Sequence, residues 1–212
     1  MKNCHVVIVG NGNITENFLK RVNSADFVIS VDRATLYLID RGVIPDIAIG
    51  DFDSVSLSEL EIIKKKAKKT IIYKREKDET DLDLAVMYSI GLSQVEVTII
   101  GATGKRLDHE LANIYLLKKY LDKDINAHII DANNKITLID KKTIIHKDKK
   151  YNYLSLISYT DHAVVSISGC RYNISKKTLL KGSSLGVSNE IIDGAAQIDV
   201  HRGILIMIQS RD

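Results

Sequence analysis

The sequence contains no tryptophan, a single proline and two cysteines among its 212 residues. Cys4 and Cys170 lie far apart, each within an apolar run, so they form neither a disulfide framework nor a metal-binding pattern. No apolar run approaches the roughly 18 residues that a membrane span requires, and the N-terminus shows no charged-then-apolar leader. These absences predict a cytoplasmic protein without a membrane partner.

The sequence also lacks a large excess of either charge, because the formal net charge is only +3. A balance this close to neutral gives no indication of a nucleic-acid partner. The lysine-rich stretch 64–69 follows Leu57, Leu60 and Ile63, which recur at helical spacing. We therefore interpret these lysines as the solvated face of a helix and not as a polyanion-binding patch.

The first part of the chain alternates short β-branched runs with amphipathic stretches. This pattern is typical of a parallel sheet covered by helices on both faces. The predicted helices lie near 15–23, 34–41, 56–68, 80–91 and 107–121. The predicted strands are His5–Gly10, Phe27–Asp32, Ile44–Asp51, Thr70–Arg75, Glu96–Ala102 and Ala127–Ala132.

Helical spacing disappears from about residue 135 onward, and short strands separated by polar turns replace it. The sequence therefore predicts an α/β protein with two domains. Residues 1–134 form a mostly parallel, Rossmann-like sheet with flanking helices, and residues 135–212 form a small all-β antiparallel sandwich. The predicted strands of the sandwich are Lys135–Asp140, Lys142–Lys147, Tyr153–Tyr159, Ala163–Gly169, Ala195–His201 and Gly203–Ser210.

The loops that follow the parallel strands are where a ligand is expected, because open parallel sheets bind ligands outside the carboxyl ends of their strands. The first such loop, Gly10–Thr15, lacks the third glycine of the dinucleotide-binding fingerprint, since Thr15 stands in its place. A nucleotide loop and a tight turn with Thr15 as helix cap explain the glycines equally well.

The loop Gly50–Ser54 carries two acids, Asp51 and Asp53. In an extended segment alternate side chains share one face, so both carboxylates are expected to project together with Phe52 turned away. Close carboxylates repel unless a cation lies between them, and magnesium accepts such ligands together with phosphate oxygens. The alternative is a polar turn in which Asp53 or Ser54 caps the next helix.

The segment Lys77–Asp83 carries four acids within six residues. Leu82 and Ala85 begin a helical spacing, so a helix is predicted to start near Thr80. Asp78 or Thr80 can cap this helix, and acids in its first turn suit the helix dipole. The acids exceed what a cap needs, so the alternative is that one of them is a third metal ligand.

The segment Gly101–His109 joins a glycine-bearing turn and two cations, Lys105 and Arg106, to a helix N-terminus. Cations and free amides at a helix N-terminus suit a phosphate group, although the spacing is not that of a Walker A loop. His109 and Asn113 lie four residues apart on one helix face. We interpret this histidine as structural and not as a catalytic base.

Together these segments resemble the thiamine pyrophosphokinases. The motifs of that family are an Asp-bearing second strand, Gly-Asp-x-Asp-Ser, Lys-Asp-x-Thr-Asp at a helix start, Gly-Ala-Thr-Gly-x-Arg-x-Asp-His, and a late Ser-Asn. The matches occur in the same order and make the resemblance specific. They are Val31–Arg33, Pro45–Asp46, Gly50–Ser54, Lys77–Asp81, Gly101–His109 and Gly186–Glu190.

The resemblance implies an ATP-binding catalytic domain, a thiamine-binding and dimerisation domain, and a homodimer with active sites between subunits. It also implies that Asp51, Asp53 and Asp81 bind magnesium and, with Arg106, carry the catalysis. The implied ATP contacts are Asp32, Asp78, Thr80, Thr103, Arg106 and Asp108, and the implied thiamine contacts are Ser188 and Asn189.

Two segments depart from the family pattern. Many relatives carry Asp-Gly-Gly-Ala-Asn where this chain has Asp32–Leu36, closer to a bacterial variant of the motif. Some relatives place an aromatic residue just after Ser-Asn-Glu, where this chain has Ile191 and Ile192. The wall of the thiamine ring is therefore expected to be aliphatic or a tyrosine.

The implied reaction is attack of the thiamine hydroxyl on the β-phosphorus of ATP, with AMP as the leaving group. Such a transfer depends on in-line positioning and neutralisation of oxygen charge, and one of the three aspartates or Asp78 accepts the proton. The alternatives are a diphosphokinase of another hydroxymethyl heterocycle, such as a pterin, and a non-catalytic nucleotide- or thiamine-binding protein. Ser188–Asn189 favours thiamine, and the clustered acids favour an enzyme.

Overall fold

The computed structural model describes residues 4–92, 96–104 and 106–212. The chain divides into two compact units, one ending at Asp131 and the other beginning at Ala132. The predicted boundary followed residue 134, just inside the first strand of the second unit. Each unit has its own hydrophobic core.

The first unit contains a parallel sheet in the order β4-β3-β2-β1-β5-β6. Most strand residues are β-branched and buried, as expected for a sheet covered on both faces. The strands are β1 (His5–Val9), β2 (Phe27–Val31), β3 (Ile47–Gly50), β4 (Thr70–Ile72), β5 (Glu96–Ile100) and β6 (Asn126–Ile130).

Amphipathic helices pack their apolar faces on this sheet. Helix α3 begins with a capping box, in which Ser56 and Glu59 each accept a hydrogen bond from the other's backbone amide. Among the described residues, no helix has the length and apolar character to cross a membrane. The α-helices are α1 (Leu19–Asn23), preceded by a 3₁₀ turn over Glu16–Phe18, α2 (Ala34–Ile39), α3 (Leu57–Lys66), α4 (Asp81–Ile90) and α5 (Leu107–Leu121).

The strand order reverses at β1, because β2 lies on one side of it and β5 on the other. The loops that follow β1 and β5 meet there, since the Gly12 amide donates to the Gly101 carbonyl at 2.7 Å and the Asn13 amide donates to the Thr103 carbonyl at 2.8 Å. A Cβ atom on Gly12 would lie 2.1 Å from the Thr103 carbonyl oxygen, so only glycine permits this approach. Reversals of this kind are where doubly wound sheets bind ligands.

The second unit is an antiparallel sandwich. One sheet has the order β7-β13-β9 within this unit, and the other has the order β11-β10-β12-β8. Their inner faces share a core that includes Leu156, Val165, Ile198 and Met207. The strands are β7 (Asn134–Ile139), β8 (Thr143–His146), β9 (Tyr153–Ser158), β10 (His162–Ser168), β11 (Ile174–Leu180), β12 (Ala195–Arg202) and β13 (Leu205–Ser210).

The predicted fold class is confirmed in both parts, but the sequence pattern did not indicate β11. This edge strand has one buried residue, Leu179, and its other residues are at least partly exposed. Lys176 adopts a positive φ of 45°, and the pairing with β10 shifts register nearby. A bulged edge strand with two adjacent exposed lysines lacks the apolar alternation that predicts a strand.

Candidate active site

Three carboxylates gather at the carboxyl end of the parallel sheet. Asp32 follows β2, Asp51 follows β3, and Asp81 is the first residue of α4. One oxygen from each lies within 4.8 Å of the others. The sequence motifs predicted Asp51 and Asp81 for such a group and placed Asp32 in the nucleotide cleft.

Asp32 is held in the cluster by the backbone of the neighbouring strand end. Its Oδ1 accepts a hydrogen bond of 3.1 Å from the Phe52 amide, and its own amide donates to the Ile49 carbonyl at 2.9 Å. A Cβ atom on Gly50 would lie 1.9 Å from Asp32 Oδ1. Glycine at position 50 therefore leaves the space that this carboxylate fills.

Burial raises the pKa of Asp32 to about 7, and the nearby charge of Asp81 adds to the effect, while the Phe52 amide opposes it. Carboxylates this close repel each other when they are ionised without a cation between them. Carboxylate oxygens are hard ligands of the kind that Mg²⁺ prefers, usually together with phosphate oxygens. The chemistry of the three acids therefore fits a magnesium ion.

Lys77 reaches into the same cluster. Its Nζ lies 3.1 Å from Asp51 Oδ2 and 3.0 Å from Asp81 Oδ1, and its side chain is only 13% exposed. Burial alone would lower the pKa of Lys77, but the hydrogen bonds and charges of Asp81 and Asp51 outweigh it and raise the pKa. Burial likewise opposes ionisation of Asp51, yet the Asp53 amide and Lys77 lower its pKa.

Asp53 lies outside the cluster of three acids. Its carboxylate pairs with Arg75 at 3.2 Å, and its amide donates to Asp51 Oδ1 at 3.1 Å. The expectation that Asp51 and Asp53 share one face of an extended segment is wrong, because Phe52 has a φ of +55° and turns the chain while its ring is buried. The binding of magnesium by Asp53 stays a prediction.

The helix that contributes Asp81 is capped by Thr80. The Thr80 side chain accepts a hydrogen bond of 3.2 Å from the Asp83 amide, which leaves Asp81 in the first turn of α4. Asp83 pairs with Lys119. Asp78 is exposed just before the cap. Helix capping thus accounts for Thr80, but it does not require an acid at position 81.

Side chains of α5 fix the loop after β5. Glu110 accepts a hydrogen bond of 2.8 Å from the Gly104 amide, and Asn113 donates to the Ala102 carbonyl at 2.7 Å. Thr103 donates its hydroxyl to Asp131 at 3.0 Å. Lys105, one of the two predicted cations, lies outside the described residues.

Arg106 and Asp108 form a bidentate ion pair at the start of α5. The guanidinium Nε and Nη2 lie 3.2 and 2.6 Å from the two carboxylate oxygens, and both side chains are largely exposed. The hydrogen bond from Arg106 lowers the pKa of Asp108 to about 2. His109 is exposed, whereas Asn113 is buried.

The first glycine loop contributes backbone geometry and one side chain. Asn11 Oδ1 accepts a hydrogen bond of 2.6 Å from the Ala34 amide, so it caps the start of α2 from another loop. Thr15 stands at the N-cap position of the following 3₁₀ turn, but its side chain makes no capping hydrogen bond. The glycine at position 12 thus follows from the approach of the two loops.

In the second unit, Asn189 is buried and bonded entirely to the surrounding chain. Its Oδ1 accepts from the amides of Tyr172 and Glu190 at 3.0 and 2.9 Å, and its Nδ2 donates to the Tyr172 carbonyl at 2.8 Å. Ser188 is exposed and has a positive φ of 60°. The ring-bearing side chain of Tyr172 is 65% exposed. Asn189, which follows Ser188 in the chain, therefore fixes the backbone of Tyr172.

Three contributors were missing from the sequence interpretation: Asp32 as a member of the acid cluster, Lys77 as its counter-ion, and Glu110 as a partner of the loop amide. The position of Asp32 directly after a buried strand was an available signal for the first. Lys77 lies four residues before Asp81, but no sequence pattern specified that it faces inward. Glu110 followed a predicted helix start, where an acid has an ordinary explanation.

Comparisons with known proteins agree over both units. The family described as thiamin pyrophosphokinase, catalytic domain, matches residues 18–129, and the family described as thiamin pyrophosphokinase, vitamin B1 binding domain, matches residues 141–205. The chain is 36% identical to the thiamine pyrophosphokinase of Bacillus subtilis (strain 168), and the match covers 100% of both proteins.

Solved structures give the same result. A crystal structure of thiamine pyrophosphokinase from Bacillus subtilis matches with a TM-score of 0.90 and 33% identity, over 98% of this chain and 99% of that one. The yeast thiamin pyrophosphokinase structure matches with a TM-score of 0.82 over 100% of this chain and 87% of that one. Its identity of 16% makes that likeness one of fold alone.

Proposed function

This chain belongs to the thiamin pyrophosphokinase family, and from that membership we infer that it transfers the diphosphate group of ATP to the hydroxyl of thiamine, releasing AMP. The full-length match at 36% identity to a named thiamine pyrophosphokinase is the observation that carries this conclusion. The family and the enzyme class predicted from the sequence motifs are thereby confirmed. No observation favours a pterin kinase or a non-catalytic binding protein.

We propose that Asp32, Asp51 and Asp81 hold the magnesium ion. This set differs from the predicted one by Asp32 in place of Asp53, and it is supported by the 4.8 Å grouping of their oxygens. When bound, the ion neutralises charge on the phosphate oxygens and orients them. The carboxylates are preorganised for this role, because strand ends and a helix start fix their backbones.

The ATP phosphates are proposed to lie over the loop after β5, beside the reversal of strand order. Glu110 and Asn113 hold the backbone of this loop, and Arg106 stands at its edge. Arg106 can exchange Asp108 for a phosphate at little cost, because exposed ion pairs are worth little in water. Among the other proposed nucleotide residues, Asp78 and Thr80 come after β4, and Thr103 comes after β5.

The transfer step needs the thiamine hydroxyl in line with the β-phosphorus and the AMP oxygen that leaves. A new bond forms between the hydroxyl oxygen and the β-phosphorus as the bond to the α-phosphate oxygen breaks. The hydroxyl proton passes to a carboxylate of the cluster or to Asp78. The protein contributes mainly position and fixed charge, as is usual for phosphoryl-type transfer.

For thiamine recognition we propose different roles for three residues of the second unit. The hydroxyl of Ser188 is exposed and available to a ligand, whereas the polar atoms of Asn189 already bind the chain. Asn189 is therefore proposed to position the turn. The Asn189 side chain hydrogen-bonds both the amide and the carbonyl of Tyr172. We propose that the Tyr172 ring packs against the thiamine ring, in place of the aromatic residue that some relatives carry after Ser-Asn-Glu.

The proposal also includes a cytoplasmic homodimer with shared active sites. Cys4 and Cys170 are both free thiols, as expected in a reducing compartment. The dimer follows from the family resemblance, and two-fold pairs are the commonest soluble assembly.

Incubation of the purified protein with ATP, MgCl₂ and thiamine tests the proposed reaction. We expect AMP and thiamine diphosphate to form in equal amounts, with neither produced when thiamine is omitted. A matched reaction with a hydroxymethylpterin in place of thiamine serves as the specificity control. Preferential use of the pterin would overturn the assignment of substrate.

A further inference from the structure

Lys77 lies inside the acid cluster, and the function proposed above gives it no role. Its ammonium contacts Asp51 Oδ2 at 3.1 Å and Asp81 Oδ1 at 3.0 Å, and its side chain is 13% exposed. A lysine enclosed to this extent between two carboxylates differs from the exposed pairs at the surface, which gain little from their charges. The ammonium occupies the place of a counter-ion.

A metal ion and this ammonium need the same carboxylates. Asp51 has two oxygens, of which Oδ1 accepts the Asp53 amide and Oδ2 contacts Lys77. A divalent ion bound by Asp51 and Asp81 would lie a few ångströms from the ammonium, where like charges repel strongly. The four-carbon stem of lysine is flexible, so the ammonium can turn away while the carboxylates stay in place.

We propose that Lys77 is a resident counter-cation, which holds the acid cluster together in the metal-free protein and leaves it when a divalent metal ion binds. The inference rests on the metal site of the proposed function. It requires negative coupling between Lys77 and the metal, so removing the lysine charge tightens metal binding. A lysine that merely positions the carboxylates has the opposite effect, since its removal weakens metal binding.

The coupling is measured with Mn²⁺ alone, by following free Mn²⁺ with electron paramagnetic resonance during titration. Lys77→Gln keeps a hydrogen-bond donor but removes the charge, and we expect its Kd for Mn²⁺ to fall about tenfold, within the usual range of coupling between sites. Lys68→Gln is the matched control, because the Lys68 ammonium lies 2.7 Å from the Asp46 carboxylate, which is not part of the acid cluster. Its Kd is expected to equal that of the unmodified protein.

Thermal unfolding gives a second readout that does not depend on activity. Lys77→Gln is expected to unfold at a lower temperature than the unmodified protein in a metal chelator, with the difference shrinking as Mn²⁺ is added. A role confined to packing predicts the same difference at every metal concentration.

A third test follows the unmodified protein itself. The ammonium protons of Lys77, assigned in NMR spectra by comparison with Lys77→Arg, are expected to exchange slowly with water in the metal-free protein and rapidly with saturating Mg²⁺. Protection that persists with Mg²⁺, or a Kd for Mn²⁺ that is unchanged or higher in Lys77→Gln, overturns the exchange. An unmodified protein that binds no Mn²⁺ overturns the proposed metal site itself, which separates the two failures.

Discussion

Asp32 Oδ1 accepts a 3.1 Å hydrogen bond from the backbone amide of Phe52, although the two residues follow different strands. The contact joins the ends of β2 and β3, and Gly50 leaves the room for it. Because Phe52 also turns the chain through a positive φ, the same contact decides which acids face the cluster. Asp32 and Asp51 face it, and Asp53 turns toward Arg75.

The first prediction distinguishes two sets of metal ligands. The structure supports Asp32 as the third ligand, whereas the motifs predicted Asp53. Asp32→Asn is expected to lower kcat at least about 100-fold. Mutation of a residue that only hydrogen-bonds to a metal ligand already lowers activity about 10- to 100-fold, and loss of a ligand itself is expected to cost more. Asp53→Asn is expected to retain activity within about tenfold, as suits the loss of an exposed ion pair. Steady-state kinetics on both variants decides between the two sets.

Circular dichroism and thermal unfolding provide the control for that comparison, since both variants must keep the fold. Asp51→Asn serves as the positive reference because both sets include it. A large loss in Asp53→Asn with little change in Asp32→Asn would restore the predicted set and contradict the proposed one.

The second prediction concerns Arg106. Removal of its guanidinium in Arg106→Ala is expected to raise KM for ATP about tenfold, equivalent to about 1.4 kcal/mol of lost binding. The KM for thiamine is expected to change little, because Arg106 belongs to the loop that addresses phosphate. Initial rates with each substrate varied in turn check the split, and an equal change in both constants would assign Arg106 a purely structural role.

The third prediction concerns the support of that loop. Asn113→Ala removes the donor to the Ala102 carbonyl and leaves a buried acceptor without its partner, so we expect a loss of about 1–3 kcal/mol in the free energy of unfolding. His109→Ala on the same helix is the control, and because His109 is exposed its effect is expected to stay within about 0.5 kcal/mol. Urea denaturation measures both, and equal stabilities would show that the buried amide is dispensable.

The fourth prediction concerns the exposed aromatic side chain of Tyr172. Tyr172→Leu is expected to raise KM for thiamine about tenfold while KM for ATP stays constant, since a stacked ring contributes about 1 kcal/mol or more. Tyr172→Phe keeps the ring and is expected to behave like the unmodified protein. If Leu and Phe at this position give equal KM values for thiamine, Tyr172 does not wall the ring.

The fifth prediction concerns the shared active sites of the proposed homodimer. Chains carrying Asp51→Asn are mixed with chains carrying Asn189→Ala under conditions that allow subunits to exchange. Each mixed dimer then has one doubly altered site and one intact site, so activity is expected to reappear. A tagged-subunit control confirms exchange, and no recovery despite exchange would place each site within one chain.

Much of the fold was predictable because its signals are local. Buried β-branched runs such as Val6–Val9 and the acid-rich start of α4 follow directly from residue type and spacing. The edge strand β11 was not predictable in this way, since its exposed lysines carry no apolar alternation. Its place depends on pairing with β10, which is a contact between distant parts of the chain.

The candidate site was predictable as a set of loops but not as a set of contacts. The motifs named Asp51 and Asp81, and in the structure Asp51 follows β3 and Asp81 begins α4, with both in the acid cluster. The inward position of Asp32 depends on one backbone amide, and that of Lys77 depends on two carboxylates, Asp51 in another loop and Asp81 four residues further along the chain. Such relationships arise from backbone turns like that at Phe52, where a bulky residue adopts a conformation that sequence spacing does not specify.

The most direct measurement of the central claim follows the diphosphate group itself. The protein is incubated with thiamine, MgCl₂ and ATP labelled at the β-phosphorus, and the products are separated and quantified. We predict that the label appears in thiamine diphosphate, with an equal amount of unlabelled AMP, and that Asp51→Asn suppresses both products. Formation of thiamine monophosphate with labelled ADP, or AMP release that does not depend on thiamine, would contradict the account.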